Sequence, residues 1–118
     1  MSANIHKKFL NNPLTKRIQH SKKLIRNNNN RIPLLLYVNK PSSIELKKTK
    51  YLLERSMKVR EFIHKIRKRT KVTRDMGIFL YIKNKLLSPQ EEFGKIYDNL
   101  KNEDGFLYLT ISEMATSG

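Results

Sequence analysis

The run Phe106-Leu-Tyr-Leu-Thr-Ile111 does most to limit what this chain can fold into. Phe106, Tyr108 and Thr110 alternate with Leu107, Leu109 and Ile111, between Asp104-Gly105 and Ser112-Glu113, so the run reads as a strand apolar on both faces. Such a strand has no face to give to water. It belongs in the middle of a sheet, with a helix covering at least one side. The residues after it, 113–118, are mostly small and read as a mobile tail. Gly118 has no Cβ, so its carboxylate could enter a narrow channel and be activated there. Taken alone the glycine says little, because a chain must stop somewhere.

One domain of ordinary size follows from 118 residues. The absence of cysteine excludes disulfides, thiolate metal sites and a catalytic thiol. The longest apolar run, residues 34–38, falls far short of the roughly 20 residues that span a bilayer, and no secretory signal follows Lys7 and Lys8. A cytosolic or nuclear location is expected, with any membrane association acquired. The net charge of +15 is uneven. Residues 1–44 hold nine Lys or Arg and no acid, residues 45–74 twelve against three, and residues 75–118 four against seven. That field suits nucleic acid, anionic lipid or acidic protein segments and does not choose among them.

Leu14, Ile18, Leu24 and Ile25 predict a short amphipathic helix over 15–26, with Lys16, Arg17, Lys22, Lys23 and Arg26 on its other side. Four asparagines, 27–30, then make a loop. Pro33-Leu-Leu-Leu-Tyr-Val38 is a strand opened by a proline, and Lys50-Tyr-Leu-Leu53 a shorter one, antiparallel if the two form a hairpin. Val59, Phe62, Ile63 and Ile66 change the period to that of a helix over 58–69, with Ser56 as its N-cap. Ile78-Phe-Leu-Tyr-Ile82 is a strand leading into a turn at 83–85. Ser88-Pro-Gln-Glu91 has capping-box order for a helix reaching about Leu100.

This order gives the α+β class: helices packed on one face of a mixed sheet. With a right-handed crossover the compact solution is the ubiquitin-like β-grasp roll, a four-stranded mixed sheet with a crossover helix and an N-terminal helical extension. The expected organisation is a basic helical extension over 1–30, a β-grasp domain over 31–112 and a flexible C-terminal tail over 113–118.

Arg31-Ile-Pro33, Lys50-Tyr-Leu52, Ile66-Arg-Lys-Arg69, Ile78-Phe-Leu-Tyr-Ile-Lys-Asn84 and Glu103-Asp-Gly-Phe-Leu-Tyr108 resemble successive signature blocks of the autophagy ubiquitin-like modifiers, the light-chain-three and GABARAP group. They stand in family order from about residue 14 to Gly118. The resemblance implies conjugation of Gly118 to phosphatidylethanolamine after activation on partner enzymes: an activating enzyme, a conjugating enzyme, and a cysteine protease that processes and deconjugates. It implies no cofactor and no metal. It also implies a monomer in the cytoplasm, recruited to autophagosomal or related vesicle membranes on lipidation, that binds adaptor and cargo-receptor peptides by adding a strand to the sheet edge.

Carried over by position, the aromatic pocket for such peptides would use Leu24 or Ile25, Pro33, Lys48, Lys50, Leu52 and Phe106. The aliphatic pocket would use Tyr51, Leu53, Met57, Phe62 and Ile66, with Arg69 holding an acidic side chain of the peptide. Taken singly, Leu53, Phe62 and Ile66 read as core and Lys48 as a solvated lysine; only the combined pattern makes pockets of them. Departures from the family are Glu54 for a proline at the aliphatic rim, Lys65 facing that pocket, the asparagine run for a tyrosine-proline-acid segment, and Ser117 for an aromatic residue.

Two other readings stand beside this one. Lys48-Thr-Lys50, Glu54-Arg55 and Ser88-Pro-Gln-Glu-Glu-Phe-Gly94 also resemble the sister autophagy modifier joined to a protein partner. A basic nucleic-acid module would explain the charge, but its aromatics should be exposed among basic residues, whereas here they sit in apolar patterns. No enzyme is expected: His6, His20 and His64 are scattered without an orienting acid, and Asp98, Glu103 and Asp104 read as surface and turn residues.

Overall fold

A computed structural model describes residues 9–39 and 42–115. Helix α1 covers Leu14–Asn27, strand β1 Ile32–Val38, β2 Lys50–Leu53, helix α2 Val59–Arg69, β3 Met76–Ile82, β4 Lys85–Leu86, helix α3 Phe93–Leu100 and β5 Leu107–Ala115. One sheet holds the strands in the order β2-β1-β5-β3-β4. β1 and β5 run parallel, while the β1–β2, β3–β5 and β3–β4 pairs are antiparallel. This is the β-grasp roll, with a fifth, two-residue strand beyond the four that periodicity reveals. Lys83 and Asn84 both adopt positive φ, the backbone of a tight hairpin turn that folds β4 onto β3.

The apolar double face of 106–111 is used as the sequence requires, because β5 lies at the centre of the sheet. Leu107, Leu109 and Ile111 join Leu34, Leu36, Ile78 and Leu80 in the main core, closed by Val59, Phe62 and Ile66 of α2 and Phe93 and Ile96 of α3. Phe62 packs edge-on against Phe93 at 5.5 Å between ring centroids. Phe106 and Leu35 are equally buried but stand outside that cluster. They lie on the opposite face, where α1 docks. Tyr37, Phe79, Tyr81 and Tyr108 share this second face by register and are half-buried.

Two predicted caps do not cap. Ser56 lies two residues before the actual N-cap, Lys58, whose N–H donates to the Glu61 carboxylate. Ser88 and Glu91 close a turn, with the Ser88 N–H donating to Glu91 Oε2, but α3 starts only at Phe93. The free N–H groups of both first turns are met by backbone instead. Val59 N–H donates to Glu91 O at 2.9 Å, Phe93 N–H to Met57 O at 2.9 Å, and Gly94 N–H to Arg55 O at 2.8 Å. Each segment satisfies the other's orphan donors, so the starts of α2 and α3 are fixed by one another.

The expected tail begins too early. β5 continues to Ala115, pairing Glu113 with Ile78, Met114 with Gly77 and Ala115 with Met76. Glu113 Oε1 accepts hydrogen bonds from the Ser43 hydroxyl at 2.6 Å, from the Ser43 N–H and from the Ser42 hydroxyl at 3.1 Å, which clamps the β1–β2 connection onto the strand end. Ser117 and Gly118 lie outside the described residues.

The Ser43 hydroxyl and N–H, with Ser42, lower the Glu113 pKa from its ordinary 4.5. A lowered folded value means that the clamp stabilises above the unfolded pKa and is lost as pH falls through the folded one, below 4.5. Glu113→Gln should therefore be less stable than the parent near neutrality, and the difference should shrink as pH falls to about 3. Urea unfolding at both pH values checks this; a difference independent of pH would exclude the charge.

Candidate functional site

A cavity of about 800 Å³ opens between β2 and α2. The sequence places it there because β2 is an edge strand and α2 follows after only five residues, so strand edge and helix flank both line it. Leu53, Phe62 and Ile66 form a buried floor, and half-buried Tyr51 and Met57 form the walls. Tyr51 packs edge-on against Phe62 at 5.1 Å. Its hydroxyl donates to Lys48 O at 2.8 Å, and Lys48 Nζ lies 5.0 Å from the Tyr51 ring centre. Burial raises the Tyr51 pKa and the nearby Arg69 charge opposes the rise.

Charge rims this apolar floor. Arg31, Lys47, Lys48, Lys65 and Arg69 face Glu45, Glu54 and Glu61, so the balance favours acidic ligands. Glu54 stands on the rim as the departure from the family pattern implies, but it pairs with Arg31 at 3.3 Å across the β1–β2 ladder. Lys65 also lines the groove. Beside it, among the described residues, β2 has β1 on one side only, which leaves the main-chain groups of its other edge for an added strand.

The six residues named for an aliphatic pocket, Tyr51, Leu53, Met57, Phe62, Ile66 and Arg69, thus surround one groove, joined by Lys48 and Leu52. The other aromatic-pocket residues do not line it. Pro33 pairs with Leu52 and Leu35 with Lys50, which sets them on the sheet face that carries Phe106 and α1. On α1 the choice between neighbours is decided by helix geometry. Ile25 packs on the main core and lines a separate hollow of about 290 Å³ with Ile32 and Tyr97. Leu24 lies one turn beyond His20, on the same stripe, and the His20 ring is 5.6 Å from that of Phe106. By helix spacing Leu24 therefore falls on the His20 side toward Phe106, while Ile25 packs on the main core. Burial, with Lys50 and Lys23, lowers the His20 pKa.

Asp104 stands in a turn, as expected, but not at the surface. It is 0% exposed. Its carboxylate accepts from Arg17 Nη1 at 2.8 Å, from the Phe106 N–H at 2.9 Å and from the Tyr108 hydroxyl, while its carbonyl accepts from the Ser21 hydroxyl at 2.6 Å. Burial first, then the bond to Asp104, raises the Tyr108 pKa. Arg17 belongs on the docking face and not on the solvent face assigned to it from the pattern. Gly105, at φ 86°, is required here: a Cβ would stand 2.4 Å from the Ser21 hydroxyl. Asp98 is a surface residue, bonded to Arg55 at 2.7 Å.

Phe9 escaped the sequence reading altogether. It lies against Phe106 at 4.9 Å, with Lys50 Nζ 5.3 Å from its ring centre. The signal available was slight: it is the first aromatic residue of the chain, 28 positions before Tyr37. Among the described residues no cluster of His, Asp and Glu could hold a metal ion, and no helix is long and apolar enough to cross a membrane.

The family model for the autophagy protein Atg8, ubiquitin-like, matches residues 16–118. Autophagy-related protein 8A of Oryza sativa subsp. indica is 34% identical over 110 residues, covering 92% of each chain. Autophagy-related protein 8a of Arabidopsis thaliana is 34% identical over 110 residues, 92% of this chain and 90% of its own. The crystal structure of Trypanosoma brucei ATG8 superposes with a TM-score of 0.81 at 28% identity, covering 92% of this chain and 95% of that one. Fold and sequence agree: this chain belongs to the Atg8 family of autophagy ubiquitin-like proteins, which are modifiers and not enzymes.

Proposed function

We propose that this protein is an autophagy modifier joined through Gly118 to phosphatidylethanolamine, and that its β2–α2 groove docks acidic adaptor and cargo-receptor peptides. The observation that carries the docking is the coincidence of an open strand edge with an apolar floor and a basic rim. An extended peptide added to β2 gains main-chain hydrogen bonds, an aliphatic side chain fills the space over Phe62 and Ile66, and Lys48 and Arg69 meet its acids. The aromatic anchor goes to the neighbouring seat of Pro33, Lys50, Leu52 and Phe106. Activating and conjugating enzymes attach the protein, a cysteine protease processes and releases it, and the lipid adduct holds it on autophagosomal membranes. Family membership supports the conjugation chemistry.

Arg69→Glu should weaken an acidic peptide with an aromatic-x-x-aliphatic core about tenfold, mainly through the association rate and more at low salt. The same peptide with its acids replaced by amides should bind both proteins equally. Fluorescence anisotropy at two salt concentrations reads both, and unchanged affinity for the acidic peptide would sink the basic-rim reading.

A further inference from the structure

Resting on that docking reading, we propose that Phe9 is an internal ligand: it occupies the seat for the peptide's aromatic anchor and must leave before a two-anchor peptide can bind. The Phe9 ring meets Phe106 edge-on at 4.9 Å and an interplanar angle of 74°, with Tyr108 at 6.3 Å and His20 at 6.4 Å. The Lys50 ammonium stands 5.3 Å from the Phe9 ring centre. Phe106, only 1% exposed, is covered by this contact and by α1. An incoming aromatic residue would need the same ring edge and the same ammonium, and two rings cannot share that space. The aliphatic groove beside it stays open, because Phe9 does not line it.

The segment is built to hold this pose and to release it. Phe9 O accepts from the Asn12 N–H and from Asn12 Nδ2, both at 3.1 Å, and Asn12 O accepts from Arg17 Nε at 3.0 Å. Arg17 is in turn fixed by Asp104, so the turn is aimed by α1. These segment bonds are exposed, and Leu10 is 44% exposed, so among the described residues few contacts besides the ring itself resist opening. An aromatic pair together with a cation–π contact biases such an equilibrium about tenfold toward the seated state. A ligand that needs the open state is weakened by the same factor. Peptides with an aromatic anchor are therefore held back relative to peptides that use the aliphatic groove alone.

The full chain and its Phe9→Ala variant are titrated with an acidic peptide carrying Phe-x-x-Leu and with the same peptide carrying Ala-x-x-Leu. Phe9→Ala should bind the first about tenfold tighter and the second unchanged, while Leu10→Ala alters neither. Equal affinity of parent and Phe9→Ala for the Phe peptide overturns the competition and leaves the docking reading standing. Failure of the Phe peptide to bind either protein overturns the docking reading and the competition with it. The chain has no tryptophan, so Phe9→Trp adds a single reporter. Its emission should be shielded from acrylamide in the free protein and become accessible as the Phe peptide saturates; a reporter already accessible without peptide shows an empty seat and overturns the inference.

Discussion

Asp104→Ala is expected to cost about 3–5 kcal/mol of unfolding free energy, the range for removing one partner of a buried ion pair. The carboxylate is wholly buried and serves three donors on two elements: Arg17 of α1, the Phe106 N–H and the Tyr108 hydroxyl. Its removal takes this acceptor from all three where water does not reach freely, and a buried group that loses its partner carries its own desolvation penalty. Because Ser21 also bonds the Asp104 carbonyl, the loss should fall first on α1, whose amides should lose hydrogen-exchange protection before those of β5. Asp104→Asn keeps an acceptor for the Phe106 N–H but not the charge for Arg17, and should lie between parent and alanine variant. Urea unfolding of the three proteins measures the ladder. A cost below about 1 kcal/mol for Asp104→Ala would mean that the carboxylate is not what holds the helix.

Gly118→Ala is expected to abolish the lipid adduct in a reconstitution with activating and conjugating enzymes, ATP and phosphatidylethanolamine liposomes. A terminal glycine passes a narrow channel because it has no Cβ, and an alanine carboxylate brings a methyl group to the point of attack. The register of β5 adds a second expectation. Pairing with β3 reaches Ala115, and three residues, at most about 11 Å if fully extended, separate it in the sequence from the carboxylate proposed to react. Deleting Thr116 and Ser117 keeps the glycine but cuts the tether to about a third, and should also prevent the adduct unless β5 peels from Met76 and Gly77. A lipid adduct formed undiminished by Gly118→Ala would defeat the conjugation reading, and an adduct on a protein lysine would assign the chain to the sister class of modifier.

Much of the fold is legible in the chain. The edges of β2 follow from Lys50-Tyr-Leu-Leu53, and α2 from the 3.6 spacing of Val59, Phe62 and Ile66, because local apolar periodicity and burial point the same way there. Caps and ends were less legible for a shared reason. Ser56 and Ser88 carry the right chemistry, but the helices start further on, and Val59, Phe93 and Gly94 at those starts donate to carbonyls of a segment over thirty positions away. Glu113 looked like the start of a loose tail until Ser42 and Ser43, some 70 positions earlier, came to bond it. Neither pairing leaves a trace within a short window of sequence.

The candidate site divides along the same line. The residues named for both pockets follow from the resemblance, and the fold adds their placement: the β1–β2 register sets Pro33, Lys50 and Leu52 on one face, and helix phase favours Leu24 over Ile25 on that side. By itself the sequence determined the class: a doubly apolar strand that must be central, an amphipathic helix that must cover it, and an excess of basic residues suited to acidic partners. Tertiary structure alone decided that Asp104 is a buried anchor, that Arg17 turns inward to meet it, and that Phe9 lies on Phe106. Those outcomes depend on which distant groups share a low-dielectric space, where one charge pair or one ring contact outweighs any local preference.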